Sequence, residues 1–504
     1  MTQAGAPCDE PLETMVSSTI GMHRRRIPAT IGAEIRPRPM KKIPVQHIPR
    51  RPPEIRGGAI LGVWHEYLRN PPAFLEKAAR DCGDIARFRL VQHHAYLLNH
   101  PDWIKEVLVT SQANFTKSRA LERARVLLGD GLLTSEGDFH RRQRRLAQPA
   151  FHRDRLAGYA RSMVDCAVRW REQWRSGTEF DVSQSMMRLS MAIVARALFS
   201  ADIDSEADEI SGALSQVFEL FEALLMPFSQ WLEKLPLPSV RRFERARDRL
   251  DQTVYRMIAE RRANGRDTGD LLSMLLLSQD EEGDSDKSGG GLTDKQVRDE
   301  ALTILLAGHE TTANALTWVW YLLSQNPEAE AKLHAELDRV LAGRLPTLDD
   351  LPQLRYTEGV FAESLRLYPP AWAIGRRAKQ DFSIGEYVIP ARSIVLMSPW
   401  VVQRDARWFP DPLKFAPERW QTGEVESRPK FSYFPFGGGA RTCLGERFAW
   451  MEGVLVIAAL AVAWRLRMVP GQQVDTKARI TLRPKYPMRM IGEPRAGASD
   501  LSSN

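Results

Sequence analysis

The chain has 504 residues, and 43% of them are hydrophobic, so a core large enough to enclose a cofactor is available. The formal net charge is +7, but the basic residues are spread along the chain without zinc-finger spacing or an aromatic-interleaved RNA motif, which argues against nucleic-acid binding. The cysteines Cys8, Cys82, Cys166 and Cys443 are far apart, which excludes a zinc ribbon and a disulfide framework.

The N-terminal residues lack the charged-then-apolar pattern of a signal peptide. The longest apolar runs, such as residues 453–464, are shorter than the roughly 18 residues that a membrane-spanning helix needs. So few cysteines in so long a chain are typical of a reducing compartment. We therefore expect a cytoplasmic, monomeric protein without a membrane span.

Repeated prolines and arginines predict that residues 1–56 form a poorly ordered N-terminal extension, because proline is excluded from helix interiors. The pattern then predicts one domain over residues 57–490 and a flexible tail over residues 491–504. Residues 84–98 predict a pair of strands, and residues 382–397 also have strand character. Helices are predicted, in chain order, over residues 70–82, 153–200, 207–263, 294–325, 327–342, 351–368 and, beginning just after the last cysteine, through residues 449–464.

The helix over residues 294–325 is the most extended of these predictions. Thr293 and Gln296 form a capping-box sequence at its start, and Pro327 follows its end. At 1.5 Å per residue the helix is about 48 Å long, enough to cross a whole domain. The Gly/Asp/Ser-rich residues 281–291 before it predict an exposed loop. The predicted fold class is mainly α with a minor β-sheet region.

Residues 436–445 (FGGGARTCLG) are the most informative segment for function. Three glycines allow a tight turn and a close approach to another group. A helix that begins after Cys443 would place a thiolate near the positive end of the helix dipole, which favours the charged form. A free buried cysteine beside a flexible loop is the more common interpretation of a single cysteine. A phosphate-binding loop is excluded, because no Gly-Lys-Ser/Thr sequence follows the glycines.

This segment resembles, at every fixed position, the Phe-x-x-Gly-x-Arg-x-Cys-x-Gly signature of the cytochrome P-450 superfamily. The resemblance implies a triangular helical domain with heme b (iron protoporphyrin IX) between the long central helix and the cysteine-loop helix. It implies that Cys443 is the axial thiolate ligand of the iron, that Phe436 packs beside this ligand, and that Arg441 pairs with a heme propionate. A thiolate ligand donates electron density to the iron and favours cleavage of the O–O bond.

The middle of the long helix contains residues 307–312 (AGHETT). One interpretation is an exposed helix face on which Thr311 bonds to a backbone carbonyl. A zinc protease is excluded, because Ala313 stands where the second histidine would be needed. The segment resembles the family's oxygen-activating motif, which implies that Gly308 makes room for dioxygen, that Thr311 donates a hydrogen bond to it, and that Glu310 relays protons.

Two further sets of charged residues extend the resemblance. Glu363 and Arg366 lie three positions apart on one helix face, a pattern that is common in proteins. The resemblance implies that these two residues and Arg419 form a buried charge network supporting the cysteine loop, with Trp420 in place of the family's phenylalanine.

The basic residues 140–144 (HRRQR) are compatible with a solvated helix face or a nucleic-acid patch. The resemblance implies instead that His140 and Arg144 bind a heme propionate, and His140 is typical of soluble bacterial members. Arg376 matches a third propionate-binding arginine, although Arg377 is adjacent to it.

The resemblance implies a monooxygenase that inserts one oxygen atom of O2 into an apolar small molecule. The apolar residues 371–374 (AWAI) are compatible with terpenoid, fatty-acyl or polyketide-like substrates. One domain occupies nearly the whole chain, so we expect electrons from NAD(P)H to arrive through a separate ferredoxin or flavodoxin with its reductase.

Two alternatives stay open at this point. A peroxide-driven or isomerising heme-thiolate enzyme needs no reductase, and a non-enzymatic heme sensor needs no oxygen activation. Peroxide-driven or isomerising enzymes commonly lack the acid–alcohol pair that this chain keeps in Glu310 and Thr311, and a sensor would not need such a pair. A further apolar patch could roof the substrate pocket or belong to an ordinary helix core; it comprises Phe218, Leu220, Phe221, Leu224, Leu225, Met226 and Phe228.

Overall fold

The computed structural model describes residues 50–200, 238–265, 267–278 and 291–495. The apolar patch predicted at residues 218–228 lies outside the described residues, as does nearly all of the loop predicted at residues 281–291. Among the described residues, no helix combines the length and hydrophobicity needed to cross a membrane.

Helices dominate the described residues, which confirms the predicted fold class of mainly α structure with a minor β-sheet region. The helices are α1 (Trp64–Arg69), α2 (Pro71–Cys82), α3 (Pro101–Lys105), α4 (Arg119–Arg123), α5 (Arg125–Leu128), α6 (Gly137–Ala147), α7 (Arg153–Arg171), α8 (Val182–Phe199), α9 (Pro238–Asn264), α10 (Leu271–Leu277), α11 (Asp294–Gln325), α12 (Pro327–Leu341), α13 (Arg355–Leu367), α14 (Pro399–Val402), α15 (Glu424–Ser427) and α16 (Glu446–Ala461). The strands are β1 (Glu54–Ile55), β2 (Ile85–Leu90), β3 (His93–Leu98), β4 (Phe115–Lys117), β5 (Glu179–Asp181), β6 (Ile374–Ala378), β7 (Phe382–Ile384), β8 (Tyr387–Ile389), β9 (Ile394–Met397), β10 (Trp464–Met468), β11 (Thr476–Ala478), β12 (Leu482–Pro484) and β13 (Arg489–Pro494).

Helix α11 is the central element and has the predicted bounds. The Thr293 hydroxyl accepts a hydrogen bond from the Gln296 backbone N–H, and the Gln296 side chain accepts one from the Thr293 N–H. This capping box satisfies two backbone donors that have no partner within the helix. Most of α11 is buried, because α8, α9, α13 and α16 pack around it. The site that its motif predicts therefore lies inside the molecule.

Helix α16 follows the cysteine loop and is apolar around its whole circumference. Such a helix has to be enclosed on all sides, and every residue from Met451 to Ala461 is buried. The helix confirms the predicted helix after Cys443. It ends before residue 464 because Trp464 begins β10, which pairs with β13.

A six-stranded sheet has the strand order β1-β2-β3-β9-β6-β4. The antiparallel pair β2–β3 confirms the strands predicted over residues 84–98. At the other edge of the sheet, β4 pairs with β6 in a register that places Lys117 opposite Arg376. The sheet thereby brings two basic side chains from distant parts of the sequence to one place.

Three predicted boundaries in the chain are wrong. The helix predicted over residues 153–200 is divided by strand β5, because Trp174 packs against Phe180 and Trp464 and the chain joins a three-stranded sheet. Residues 491–494 belong to strand β13 of that sheet and not to a flexible tail. Within the predicted N-terminal extension, β1 pairs in parallel with β2. In all three cases the partner strand or aromatic group is distant in sequence.

Candidate functional site

The cysteine loop is a tight turn seated on another part of the chain. The Cys443 N–H donates to the Phe436 carbonyl oxygen at 2.9 Å, which closes the loop. Gly439 has a φ of +69°, and a Cβ added there would lie 1.9 Å from the Leu108 carbonyl oxygen. Ala440 N–H donates to the Gln112 Oε1 atom at 3.0 Å. Only glycine therefore fits where the loop meets residues 108–112.

Cys443 is surrounded by protein and still keeps exposed surface. Its side chain has accessible surface, yet burial raises the pKa of the thiol to about 11, against the smaller opposing effect of a hydrogen bond from the Gly445 backbone. The sulfur is therefore accessible to a group that binds beside the loop. The thiolate is the form that binds metals, and a metal cation beside the sulfur removes its proton. The sulfur donor chemistry fits a heme iron.

Five basic side chains converge beside this loop: Lys117, His140, Arg144, Arg376 and Arg441. Burial first, and then the charge of Arg441, lower the pKa of Lys117 to about 7 and that of His140 to about 3. The same two causes lower the pKa of Arg376 to about 10. Cations that are crowded together and poorly hydrated favour a bound anion. The two propionate carboxylates of heme b fit this requirement.

The hydrogen bonds of the basic side chains hold the loop in place. The Arg144 guanidinium donates to the Thr442 carbonyl oxygen at 2.8 Å, which ties α6 to the cysteine loop. Arg441 donates to the Ser135 carbonyl oxygen at 3.0 Å and pairs with the Glu136 carboxylate. The Lys117 ammonium donates to the same Ser135 carbonyl oxygen at 2.8 Å. Lys117 was not predicted from the sequence, because a single lysine in a short strand carries no motif.

The structure separates the two adjacent arginines on β6. Arg377 pairs with Glu122 at 3.4 Å, and both side chains are partly exposed. Arg376 instead lies close to Arg441, where burial lowers its pKa. This arrangement favours Arg376 over Arg377 as a group for binding a propionate.

The motif on α11 places its residues in different surroundings. Ala307 is exposed and Thr311 is half-buried, although most of the helix around them is buried. The Thr311 hydroxyl donates to the Ala307 carbonyl oxygen at 2.6 Å. This is the bond to a backbone carbonyl that the interpretation as an exposed helix face predicts. A Cβ added at Gly308 would lie 3.3 Å from Val194 on α8, so Gly308 permits close packing of the two helices. That it makes room for dioxygen stays a prediction.

Glu310 is buried and does not lie on an exposed helix face. The Thr481 hydroxyl donates to the Glu310 Oε1 atom at 2.6 Å. Thr481 belongs to the turn between β11 and β12, which no sequence pattern connected with α11. A buried carboxyl group with a defined donor is able to hold or transfer a proton at a fixed position.

Glu363 is the centre of a buried charge network. Its two carboxylate oxygens accept hydrogen bonds from Arg366 Nε and Nη2, both at 2.8 Å. They also accept from Arg419 Nε at 2.9 Å and from the Ala416 N–H at 3.0 Å. The Trp420 indole N–H donates to Glu363 at 2.9 Å, a hydrogen bond that phenylalanine could not make. A network with this many hydrogen bonds fits a supporting role next to the cysteine loop.

Phe436 packs between the loop and α16, with its ring centroid 5.9 Å from that of Trp450. Ile374, at the start of β6, approaches the same loop, since a Cβ added at Gly437 would lie 3.6 Å from its Cδ1 atom. Of the apolar residues 371–374, Ile374 thus lies next to the cysteine loop, whereas Trp372 is buried and donates to the Arg479 carbonyl oxygen.

Comparison with known proteins gives three concordant findings. The family model described as Cytochrome P-450 matches residues 52–490. Cyclooctatin synthase from Streptomyces melanosporofaciens is 42% identical over 429 residues, which cover 85% of this chain and 92% of that protein. Cyclooctat-9-en-7-ol 5-monooxygenase from the same organism is 40% identical over 87% of this chain and 93% of its own length. Among solved structures, retinoic acid bound cyanobacterial CYP120A1 has a TM-score of 0.79 and 26% identity, covering 89% of this chain and 100% of that one.

Proposed function

Because the chain belongs to the cytochrome P-450 family and is a heme-thiolate monooxygenase that uses heme b, we propose that it oxidises an apolar terpenoid with electrons from a separate ferredoxin or flavodoxin. The observation that carries the site assignment is the exposed Cys443 thiol of the glycine-rich loop beside a crowded cationic cluster. Heme bound through a thiolate supplies dioxygen binding and reductive O–O cleavage. The side chains of this protein supply binding, orientation and proton delivery.

We assign the binding residues from their positions around the loop. Cys443 would ligate the iron, and Phe436 would shield the sulfur. Arg441, Arg376 and His140 would hold the propionates. Arg144 would act with them, and its hydrogen bond to Thr442 would also keep the loop in place. Hydrogen bonds between arginine and carboxylate are charge-assisted and stronger than neutral ones.

Glu310 and Thr311 are proposed to deliver protons. The Thr311 hydroxyl has one proton and two acceptor sites, so it is able to accept a proton from one side as it donates to the other. Thr311 is half-buried and lies one turn after the exposed Ala307, on the more accessible side of α11. Glu310, one residue earlier, holds a carboxyl group inside the protein, with Thr481 as a hydrogen-bond donor. General acids of this kind typically accelerate a reaction by about 10²- to 10⁴-fold.

The substrate class is supported by the relatives and by the lining of the site. One relative is named for oxidising cyclooctat-9-en-7-ol at position 5, and the similar solved structure holds retinoic acid. In this chain the half-buried Ile374 offers an apolar side chain close to the cysteine loop, and the half-buried Ala371 and Ala373 precede it in the sequence. Such a lining selects for shape and hydrophobicity and not for charge.

The electron donor is proposed to dock on the exposed face of α6. Arg141 and Arg145 are exposed there, and they line a surface depression of about 460 Å³ together with Asp138, Phe139 and Arg142. Asp138 pairs with Arg141, so three basic residues stand against one acidic residue in this lining. The same helix contacts the cysteine loop through Arg144. An acidic ferredoxin or flavodoxin would be attracted to this surface. We propose the cytoplasm as the compartment, because few cysteines suit a reducing environment.

A substrate-binding screen on the purified holoprotein tests the proposal. Cyclic terpene alcohols, terpene hydrocarbons, fatty acids and macrolactones are titrated while the spin state of the heme is followed by absorbance. We expect a low-to-high-spin shift with the terpenoids, and a product with one added oxygen atom when NAD(P)H, reductase and ferredoxin are supplied. A shift with fatty acids or macrolactones alone would contradict the substrate class.

Two further measurements test the rest of the assignment. The reduced protein with carbon monoxide should show the red-shifted Soret band of a thiolate-bound heme, and the Soret band of a histidine-bound heme would contradict ligation by Cys443. Product formation with hydrogen peroxide but not with NAD(P)H and reductase would favour a peroxide-driven enzyme and overturn the proposed electron donor.

A further inference from the structure

The turn between β11 and β12 reaches the motif on α11 through a chain of buried hydrogen bonds. The Thr481 hydroxyl donates to Glu310 Oε1 at 2.6 Å, and the Asn314 amide Nδ2 donates to the Thr481 hydroxyl oxygen at 3.2 Å. Thr481, Glu310 and Asn314 are 6%, 5% and 2% exposed. Glu310 and Asn314 are one helical turn apart on the same face, so Thr481 fits between them.

The direction of these hydrogen bonds restricts the Thr481 hydroxyl. A hydroxyl group has one proton to donate and two sites at which it accepts. Because an ionised Glu310 carboxylate can only accept and the Asn314 amide N–H donates to the hydroxyl oxygen, the hydroxyl proton is directed at Glu310. A buried hydroxyl that donates to one carboxylate oxygen fixes the orientation of the ionised carboxyl group.

The turn itself is rigidly attached on both sides of Thr481. The Trp372 indole N–H donates to the Arg479 carbonyl oxygen at 2.9 Å. On the other side, the Leu482 N–H donates to the Pro370 carbonyl oxygen at 2.9 Å, and the Trp318 indole N–H donates to the Leu482 carbonyl oxygen at 3.2 Å. The position of the Thr481 hydroxyl is therefore set by the fold and does not depend on side-chain rotation alone.

We propose that Thr481 is a positioning residue for proton delivery, which orients the Glu310 carboxyl group through a hydrogen bond that Asn314 directs. The inference rests on the proposed function, in which Glu310 transfers protons. Thr481 gains and loses no proton in this role. Its loss should leave substrate binding intact and should lower the fraction of NAD(P)H electrons that reach the product.

The test compares Thr481→Val with Thr481→Ser in the holoenzyme. Valine keeps the shape and removes the donor, whereas serine keeps the donor. We expect Thr481→Val to lower the coupled fraction about threefold to tenfold, since small displacements of reacting groups are costly, and to increase the solvent deuterium isotope effect on turnover. Thr481→Ser should restore both values, and neither variant should change the substrate-induced spin shift.

A matched control measures the general cost of removing a buried threonine hydroxyl. Thr317 is also buried, and its hydroxyl donates to the Ala313 carbonyl oxygen at 2.7 Å on the same helix. Thr317→Val should lower the unfolding temperature by an amount similar to Thr481→Val but leave coupling and the isotope effect unchanged. If Thr317→Val reduces coupling equally, the effect is structural and the proposal is wrong.

A double-mutant cycle with Glu310→Gln separates this inference from the proposed function. We expect Thr481→Val to have no further effect on coupling once Glu310 is replaced, and the unfolding temperatures of the four proteins to be non-additive. If Glu310→Gln itself leaves coupling unchanged, the proton-transfer role of Glu310 fails. If Glu310→Gln reduces coupling and Thr481→Val does not, the positioning role of Thr481 alone fails. Asn314→Ala removes another member of the same chain of hydrogen bonds. We expect it to lower the coupled fraction less than Thr481→Val does, because the Thr481 hydroxyl remains.

Discussion

The molecule contains two buried clusters of charge that look similar in composition and differ in balance. In the network around Glu363, the carboxylate accepts from two arginines, an indole and a backbone N–H. In the cluster around Arg441, five basic side chains crowd around the single ion pair of Arg441 with Glu136, and the pKa falls to about 7 for Lys117 and to about 3 for His140. We call the Glu363 network balanced because each of its charged groups is joined to Glu363 by a hydrogen bond, and the Arg441 cluster unbalanced because most of its basic groups are not paired with Glu136. The balanced network stabilises the fold by itself, whereas the unbalanced cluster favours a bound anion.

The largest expected effect breaks the balanced network. Glu363→Ala leaves Arg366 and Arg419 buried without their carboxylate, which should lower the free energy of unfolding by about 3–5 kcal/mol. We expect little holoprotein, measured as heme per polypeptide after purification. The control is Glu386→Ala, which removes a surface pair with Arg50. A normal yield of holoprotein from Glu363→Ala would contradict the supporting role of the network.

A change in the unbalanced cluster should affect the bound group more than the fold. Arg376→Ala removes one cation, and we expect heme to transfer to an acceptor apoprotein about tenfold faster, since one charge-assisted hydrogen bond is lost. Thermal unfolding should change little, in contrast to Glu363→Ala. Arg377→Ala is the neighbouring control, because Arg377 pairs with Glu122. Equal heme loss from both variants would contradict the distinction between the two arginines.

A third buried group sharpens the comparison. Burial first, and then Arg495, lower the pKa of His334 to about 3, but Arg495 and Arg467 nearby are paired with Asp338 and Glu330. Because the folded pKa lies below the unfolded value of about 6.5, stability is full above pH 6.5 and is lost as the pH falls toward 3. When the pH is lowered from 7 to 5, the free energy of unfolding should fall by about 1–2 kcal/mol less in His334→Gln than in the parent protein, as measured by urea unfolding. The same loss in both proteins would show that His334 takes up a proton in the folded state.

Both clusters should be untouched by a change on α11. Thr311→Ala should retain heme and unfolding temperature but divert electrons to hydrogen peroxide, lowering the coupled fraction about fivefold, because a proton donor is removed. Peroxide release and product are measured per NAD(P)H consumed. Unchanged coupling would count against the proton role of Thr311.

The smallest expected effect concerns the exposed face of α6, where we propose that the electron donor docks. Arg141→Glu combined with Arg145→Glu should slow reduction by an acidic ferredoxin about threefold at low salt, and the difference should vanish at high salt because exposed charges are screened. Stopped-flow reduction at two ionic strengths measures this. A defect independent of salt would indicate a disturbed helix and not a docking surface.

The sequence predicted most where the information is local. The capping box of α11, the proline after it and the apolar sequence of α16 lie within or beside the elements that they determine. The cysteine loop and the α11 motif are likewise contiguous, so they could be recognised without a structure. Their proposed roles stay predictions.

What the sequence could not predict depends on partners far away in the chain. Strand β5 forms only because β13 is available to pair with it. Lys117 reaches the cationic cluster through its register with Arg376, and Thr481 reaches Glu310 across 171 positions of sequence. Trp420 departs from the family pattern, and only the structure shows the hydrogen bond that it donates to Glu363.

The seat of the cysteine loop has a consequence for how the protein matures on the ribosome. Gln112 is synthesised early, and Ala440, whose N–H donates to it, is 328 positions later. Gly439 closes against Leu108 over a similar separation. The seat of the cysteine loop is thus completed only after residue 440 has emerged. A nascent chain that ends before residue 439 would hold residues 108–112 without the loop that closes on them, so we expect heme to be bound only after that point.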